Sequence, residues 1–161
     1  MLISNSAKCK CVCVYLGGRR ATIAADGAYT HLNLEDVDDA AVGFGLSPSL
    51  EARFARKPLG SSALGVSREV LAPGFRVPFG HTHRDQEEVY VVVRGSGRMK
   101  IGDDIVDLAQ GDLVRVSPGV WRCTEAGDEG LEVLAVGAPI TEENDAEIEQ
   151  GWWAENDPSG S

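Results

Sequence analysis

The residues best suited to chemistry lie in one stretch, GHTHRDQEEVYVVVRG at residues 80–95. Two histidines stand one residue apart, two glutamates follow, and a β-forming run ends in glycine. In an extended segment His81 and His83 leave the same face, because strand side chains alternate with a period of two. Neutral imidazole is the commonest transition-metal ligand, and one carboxylate added to two imidazoles makes the facial set typical of non-haem iron. Register decides which carboxylate that is. A strand running straight on puts Glu87 on the histidine face. A turn at Arg84-Asp85-Gln86 resets the parity and turns Glu88 inward with Tyr90 and Val92, and the polar character of that tripeptide favours Glu88. The plainer reading is a solvated strand end, and spacing alone does not separate the two.

Such side chains need a scaffold, and the surrounding sequence predicts strands. Apolar and β-branched runs at 63–71, 75–83, 88–94, 98–101, 105–108, 113–116, 120–124 and 131–136 are separated by APG, RDQ, GSG, GDD, AQGD, SPG and AGDEG. Eight short strands without an interleaved helix mean an all-β sandwich or barrel. Ahead of them, Ser47-Pro48-Ser49-Leu50-Glu51 reads as an N-cap with proline in the first turn. It predicts a short helix through Phe54 and Arg56, stopped at Lys57-Pro58-Leu59-Gly60. Residues 1–27 read as a flexible or appended lead, with an edge strand through CVCVYL as the alternative. Residues 28–140 are expected to form the barrel. The acidic tail, 141–161, is expected to fold back on it, since Trp152 and Trp153 can each bury on the order of 200 Å².

At 161 residues the chain suits one domain with a substantial core. Its net charge of −10 arises after Arg122, where acids recur and no lysine or arginine follows. That balance argues against nucleic acid and anionic membrane surfaces, leaving small molecules and other proteins as expected partners. No stretch approaches the ~20 apolar residues of a membrane span, and no targeting segment is evident. Cys9, Cys11 and Cys13 alternate along one strand, about 7 Å apart and beyond disulfide reach. With Cys123 they read as reduced thiols of a cytoplasmic chain.

The histidine stretch resembles the first motif of the cupins: a glycine, HxH, three or four residues, a glutamate, six residues and a glycine. His81, His83, Glu88 and Gly95 fit it, while Gly74 lies one residue further upstream than the pattern asks. GDLVRVSPGVWR resembles the second motif through Gly111, Asp112, Pro118 and Gly119. The resemblance implies a jelly-roll, or double-stranded β-helix, enclosing a pocket in which His81, His83 and Glu88 hold Fe, Mn, Zn or Ni. It also marks a departure, because Arg122 stands where the family pattern has its fourth ligand, a histidine.

Arginine keeps its proton and cannot coordinate a cation. Two arrangements stay open. In one, three ligands hold a metal while Arg122 turns away to clamp a substrate carboxylate or phosphate. In the other, Arg122 pairs with Glu88 and the pocket binds a small molecule without metal. Tyr90 is a second candidate substrate contact. Arg98, Lys100 and Arg115 read as solvated faces, Trp121 and Cys123 as packing, and His31 as structural. The expected function is an oxygenase or isomerase/epimerase acting on a small polar metabolite, or else a metal-free binding or sensor cupin. VYVVVRG is apolar on both faces, so its outer face is expected to be covered in a homodimer.

Overall fold

Alternating burial, the mark of strands with one face on a core, recurs between Leu50 and Gly137 in this chain. A computed structural model describes residues 11–16, 19–24, 27–139 and 145–155. At the N-terminal end, β1 (Cys11–Leu16), β2 (Arg19–Ala24) and β3 (Thr30–His31) form a small antiparallel sheet in that order. CVCVYL is thus a strand, but its partner is β2 and not a barrel edge. Residues 1–10, 17–18 and 25–26 of the expected lead lie outside the described residues, as do residue 140 at the end of the expected barrel and 141–144 and 156–161 of the tail.

The helix expected from Pro48 through Arg56 is instead a strand, β4 (Leu50–Phe54), followed by a single helical turn, α1 (Arg56–Leu59). The physical reason is the period. Leu50 and Ala52 alternate with Glu51 and Arg53, so one face buries while the other carries charge. The Asp39 carboxylate accepts the Ala52 N–H at 2.9 Å, and the strand pairs along its length with β5 (Gly65–Leu71). Pairing and burial together outweigh a local proline signal.

Six further strands complete the sheet: β6 (Phe79–His83), β7 (Glu88–Ile101), β8 (Asp104–Ala109), β9 (Leu113–Val116), β10 (Arg122–Gly137) and β11 (Ala146–Gln150). A short helix, α2 (Trp152–Glu155), follows. Strands β4 to β11 make one curled antiparallel sheet, ordered β11-β6-β10-β5-β4, with β7 on β10 and with β8 and β9 on β7. Its inner face buries Tyr90, Val92, Met99, Leu108, Val116, Leu131, Val133 and Ala135. Removing that apolar area from water is the main drive to close the sheet.

Two expected turns are not chain breaks. GSG lies inside β7 and AGDEG inside β10, which run to 14 and 16 residues. Their glycines serve close approach. Gly95 has φ +80, and a Cβ there would stand 2.0 Å from the Gly130 carbonyl oxygen, at a register shift between the two strands. Such a bulge bends a long strand and lets one ladder wrap around the barrel.

The tail closes the open edge of β6. Strand β11 pairs antiparallel with it, placing Ala146 opposite His83 and Ile148 opposite His81. Trp153 is 1% exposed, and Trp152 packs so closely on Gly80 that a Cβ there would meet its ring at 2.6 Å. Trp121 stacks on Trp152 at 6.1 Å. Lys100 Nζ lies 5.0 Å from the Trp152 ring, while Arg76 and Arg98 lie over Trp153 at 4.6 and 5.7 Å. The expected solvated face at Lys100 is therefore corrected: the residue is fully buried because the tail covers that side. No helix among the described residues is long and apolar enough to cross a membrane.

Candidate metal centre

Alternation along β6 turns Gly80 and Thr82 to one side and His81 and His83 to the other, into the barrel. Their rings meet edge to face, 5.5 Å between centroids. The chain then bends at Arg84-Asp85-Gln86 before β7 begins at Glu88. Gln86 holds the bend from inside, buried and donating its Nε2 to the Ala138 carbonyl at 2.7 Å. The bend resets the parity. Glu88 points inward with Tyr90, whereas Glu87 faces out and pairs with Arg115.

Ligating atoms of His81, His83 and Glu88 all lie within 4.8 Å of one another. Glu88 Oε2 is 3.6 Å from His83 Nε2 and 3.9 Å from His81 Nε2. Arg122 opens β10 directly across from His81, and its side chain, 1% exposed, enters the same space. Its Nη2 donates to Glu88 Oε2 at 2.5 Å, its Nε to Tyr90 Oη at 3.1 Å and its Nη1 to the Val120 carbonyl at 3.2 Å. Tyr90 in turn donates to Glu88 Oε2 at 2.6 Å. Of the two arrangements open on sequence, this one has Arg122 paired with Glu88.

The protonation states follow from burial and neighbours. Desolvation lowers the pKa of His81 and of His83, and the Arg122 charge adds to it, so both imidazoles are neutral at pH 7. Burial alone would raise Glu88, but contacts with His81, Tyr90 and Arg122 outweigh it and hold the carboxyl well below its usual range. Desolvation and the Glu88 charge raise Tyr90, which stays a neutral donor. Two neutral imidazoles and an ionised carboxylate are the ligating forms of these groups. A carboxylate offers about four lone-pair sites, so Glu88 has capacity beyond its two hydrogen bonds. The donor set fits a divalent transition metal in type and protonation, with Arg122 as one opposing charge.

Two residues of the site were not singled out on sequence. Asp145, 3% exposed, comes from the segment leading into β11, and its Oδ2 lies 3.0 Å from His83 Nδ1. Only the long-range return of the tail brings it there, which no local pattern announces. Glu69 lies on the inner face of β5, in register with Val133 and Ala52. Burial and the nearby Glu88 charge push its carboxyl up to about 7. Here a signal existed, since Ser67, Glu69 and Leu71 share a face and Leu71 is a core residue.

Residues 67–137 match the family model described as Cupin domain. Solved structures share the fold. A cupin protein from Bacteroides fragilis is 23% identical, with a TM-score of 0.57 over 71% of this chain and 87% of its own. Oxalate decarboxylase from Bacillus subtilis is 26% identical at a TM-score of 0.61 over 72% of this chain, a match that spans 31% of the decarboxylase. A PAC13 variant from Streptomyces, solved with uridine, is 16% identical at a TM-score of 0.59, over 74% of this chain and 90% of its own. No curated protein matches the sequence.

Proposed function

We propose that the chain is a cupin, on the match of residues 67–137 to the Cupin domain model and the shared fold, and that its barrel pocket holds a divalent transition metal through His81, His83 and Glu88 and takes a small polar metabolite beside it. The observation that carries this reading is the convergence of the three donors, each in its ligating protonation state, on one half-buried spot. A metal held there supplies Lewis acidity toward a carbonyl or access to O₂ chemistry. The chain's own residues do the rest. Arg122 neutralises Glu88 and, with Tyr90, fixes its orientation. Because Arg122 and Glu88 cancel, a dication outweighs the Asp145 carboxylate beside His83 and leaves the pocket net positive, which favours an anionic ligand such as a small carboxylate. The oxalate decarboxylase likeness makes dicarboxylates the first compounds to test.

Metal analysis of protein purified without a metal-affinity step tests the reading. Close to one Fe, Mn, Zn or Ni per chain is expected, either as purified or after titration. A small fraction that added Fe(II), Mn(II) or Zn(II) leaves unchanged sinks it. The Glu88–Arg122 pair supports a second reading in that event, a metal-free pocket that binds a small molecule without reacting.

The protein is further expected to be a cytoplasmic homodimer. Val93 and Leu113, 38% and 68% exposed on the outer face of β7 and β9, support pairing of two copies there. Sedimentation equilibrium giving a monomer mass throughout the micromolar range would exclude the dimer.

A further inference from the structure

The histidine strand does not set its own ligand geometry. His83 has one nitrogen toward the pocket, Nε2 at 3.6 Å from Glu88, and one toward the tail, Nδ1 at 3.0 Å from Asp145 Oδ2. Both side chains are largely buried, at 13% and 3% exposure. Asp145 is itself held in place. Its other oxygen accepts the Asp85 N–H at 2.9 Å, and its carbonyl accepts the Arg84 N–H at 3.1 Å. From there β11 zips along β6, the Gly151 N–H donates to the Pro78 carbonyl at 2.8 Å, and Trp152 and Trp153 sink into the barrel wall.

We infer that Asp145 is a positioning residue acting through His83, and that residues 145–153 are a working part of the candidate metal centre. This rests on the metal reading of His81, His83 and Glu88. The chemistry is short. A neutral imidazole carries one N–H, and an ionised carboxylate only accepts. His83 Nδ1 and Asp145 Oδ2 are both buried and have no other hydrogen-bond partner among the described residues, so a proton on Nδ1 satisfies the two together and leaves the Nε2 lone pair facing the pocket. Carboxylate partners of ligating histidines fix tautomer and ring direction in this way and raise ligand basicity. Here the partner arrives from the far end of the chain, so the ligand is prepared only when the tail is docked.

The test reads the tautomer first and the metal second. In metal-free protein labelled with ¹⁵N-histidine, long-range ¹H–¹⁵N correlation spectra should show His83 protonated on Nδ1. Finding it protonated on Nε2 overturns the inference without any variant. In Asp145→Asn the amide oxygen stays on the Asp85 N–H and the NH₂ faces Nδ1, so the proton should move to Nε2. Zn(II) affinity, read by competition with a chromogenic chelator, should then fall about 10- to 100-fold. A folded Asp145→Asn protein with the wild-type tautomer overturns the inference, as does one that binds Zn(II) as tightly as wild type. If wild type binds no Zn(II) yet the tautomer switches, Asp145 is upheld as the residue orienting His83 and the metal reading alone fails.

Discussion

Arg122 is the residue on which the pocket's chemistry turns. In a water-poor site its fixed charge opposes a dication, and two of its three hydrogen bonds go to Glu88 and Tyr90. Arg122→His removes that charge and adds an imidazole opposite His81. We expect Zn(II) or Mn(II) to bind at least tenfold more tightly in chelator competition, and unchanged affinity would contradict the placement of Arg122 beside the ligands. Glu69 offers a test by pH. Its folded pKa of about 7 lies above the ordinary 4.5, so the stability it contributes is full below about 4.5 and is lost as pH rises through 7. Glu69→Gln should therefore melt above wild type at pH 8, by up to about 3 kcal/mol or roughly 6–12 °C, and with wild type at about pH 4. A difference that does not change with pH would show that Glu69 does not titrate in this way. His81 and His83 have the opposite sign: held below their ordinary value, they cost stability as pH falls below about 6.5. At this scale the sequence was informative wherever chemistry is local. HxH alternation and a polar bend suffice to bring His81, His83 and Glu88 to one face, and the departure at Arg122 is visible in the motif. Asp145 stayed hidden because its partner is 62 positions away, the gap between 145 and 83 in the numbering.

At the scale of elements, alternation was legible and continuity was not. The run Glu88–Ile101 looks like two strands around a glycine turn, because glycine and serine are turn residues in any local reading. In the folded chain those glycines mark where β7 and β10 touch. Gly97 shows the contact most cleanly, since its φ is ordinary yet a Cβ would stand 2.2 Å from the Glu125 carbonyl oxygen. Gly97→Ala should cost about 1–3 kcal/mol in urea unfolding, because backbone cannot yield as a flexible side chain can. Gly43→Ala is the control. The nearest atom to its Cβ is 3.5 Å away, and it should stay within ~0.5 kcal/mol of wild type. Equal effects at the two positions would mean that β7 and β10 do not approach so closely. The helix expected at Leu50 fails for a related reason. Capping residues report what a segment favours alone, whereas β4 is decided by a partner strand, and the alternation of Leu50 and Ala52 was the better guide.

For the molecule as a whole, the architecture is legible because eight alternating segments with no helix between them have few ways to bury their apolar faces. The path of closure is less so, since it depends on pairings between distant segments, above all β11 on β6 and the tryptophans over Lys100. That closure links pocket and stability. The three candidate ligands sit on β6 and β7, β6 is held on one edge by β11 and on the other by β10, and β7 lines the inner wall beside β10 with Tyr90, Val92 and Met99. A cation bound across His81, His83 and Glu88 ties β6 to β7 in the folded state and finds no such arrangement in the unfolded chain. At a free metal concentration 100-fold above Kd it should add about 2.7 kcal/mol, a rise of roughly 5–11 °C in Tm for a chain of this size. His81→Ala should abolish the rise while retaining a cooperative transition, because the side chain it removes is partly exposed to the pocket and leaves no deep void. A Tm that metal does not move in wild type, or moves equally in His81→Ala, would place any bound ion away from these ligands.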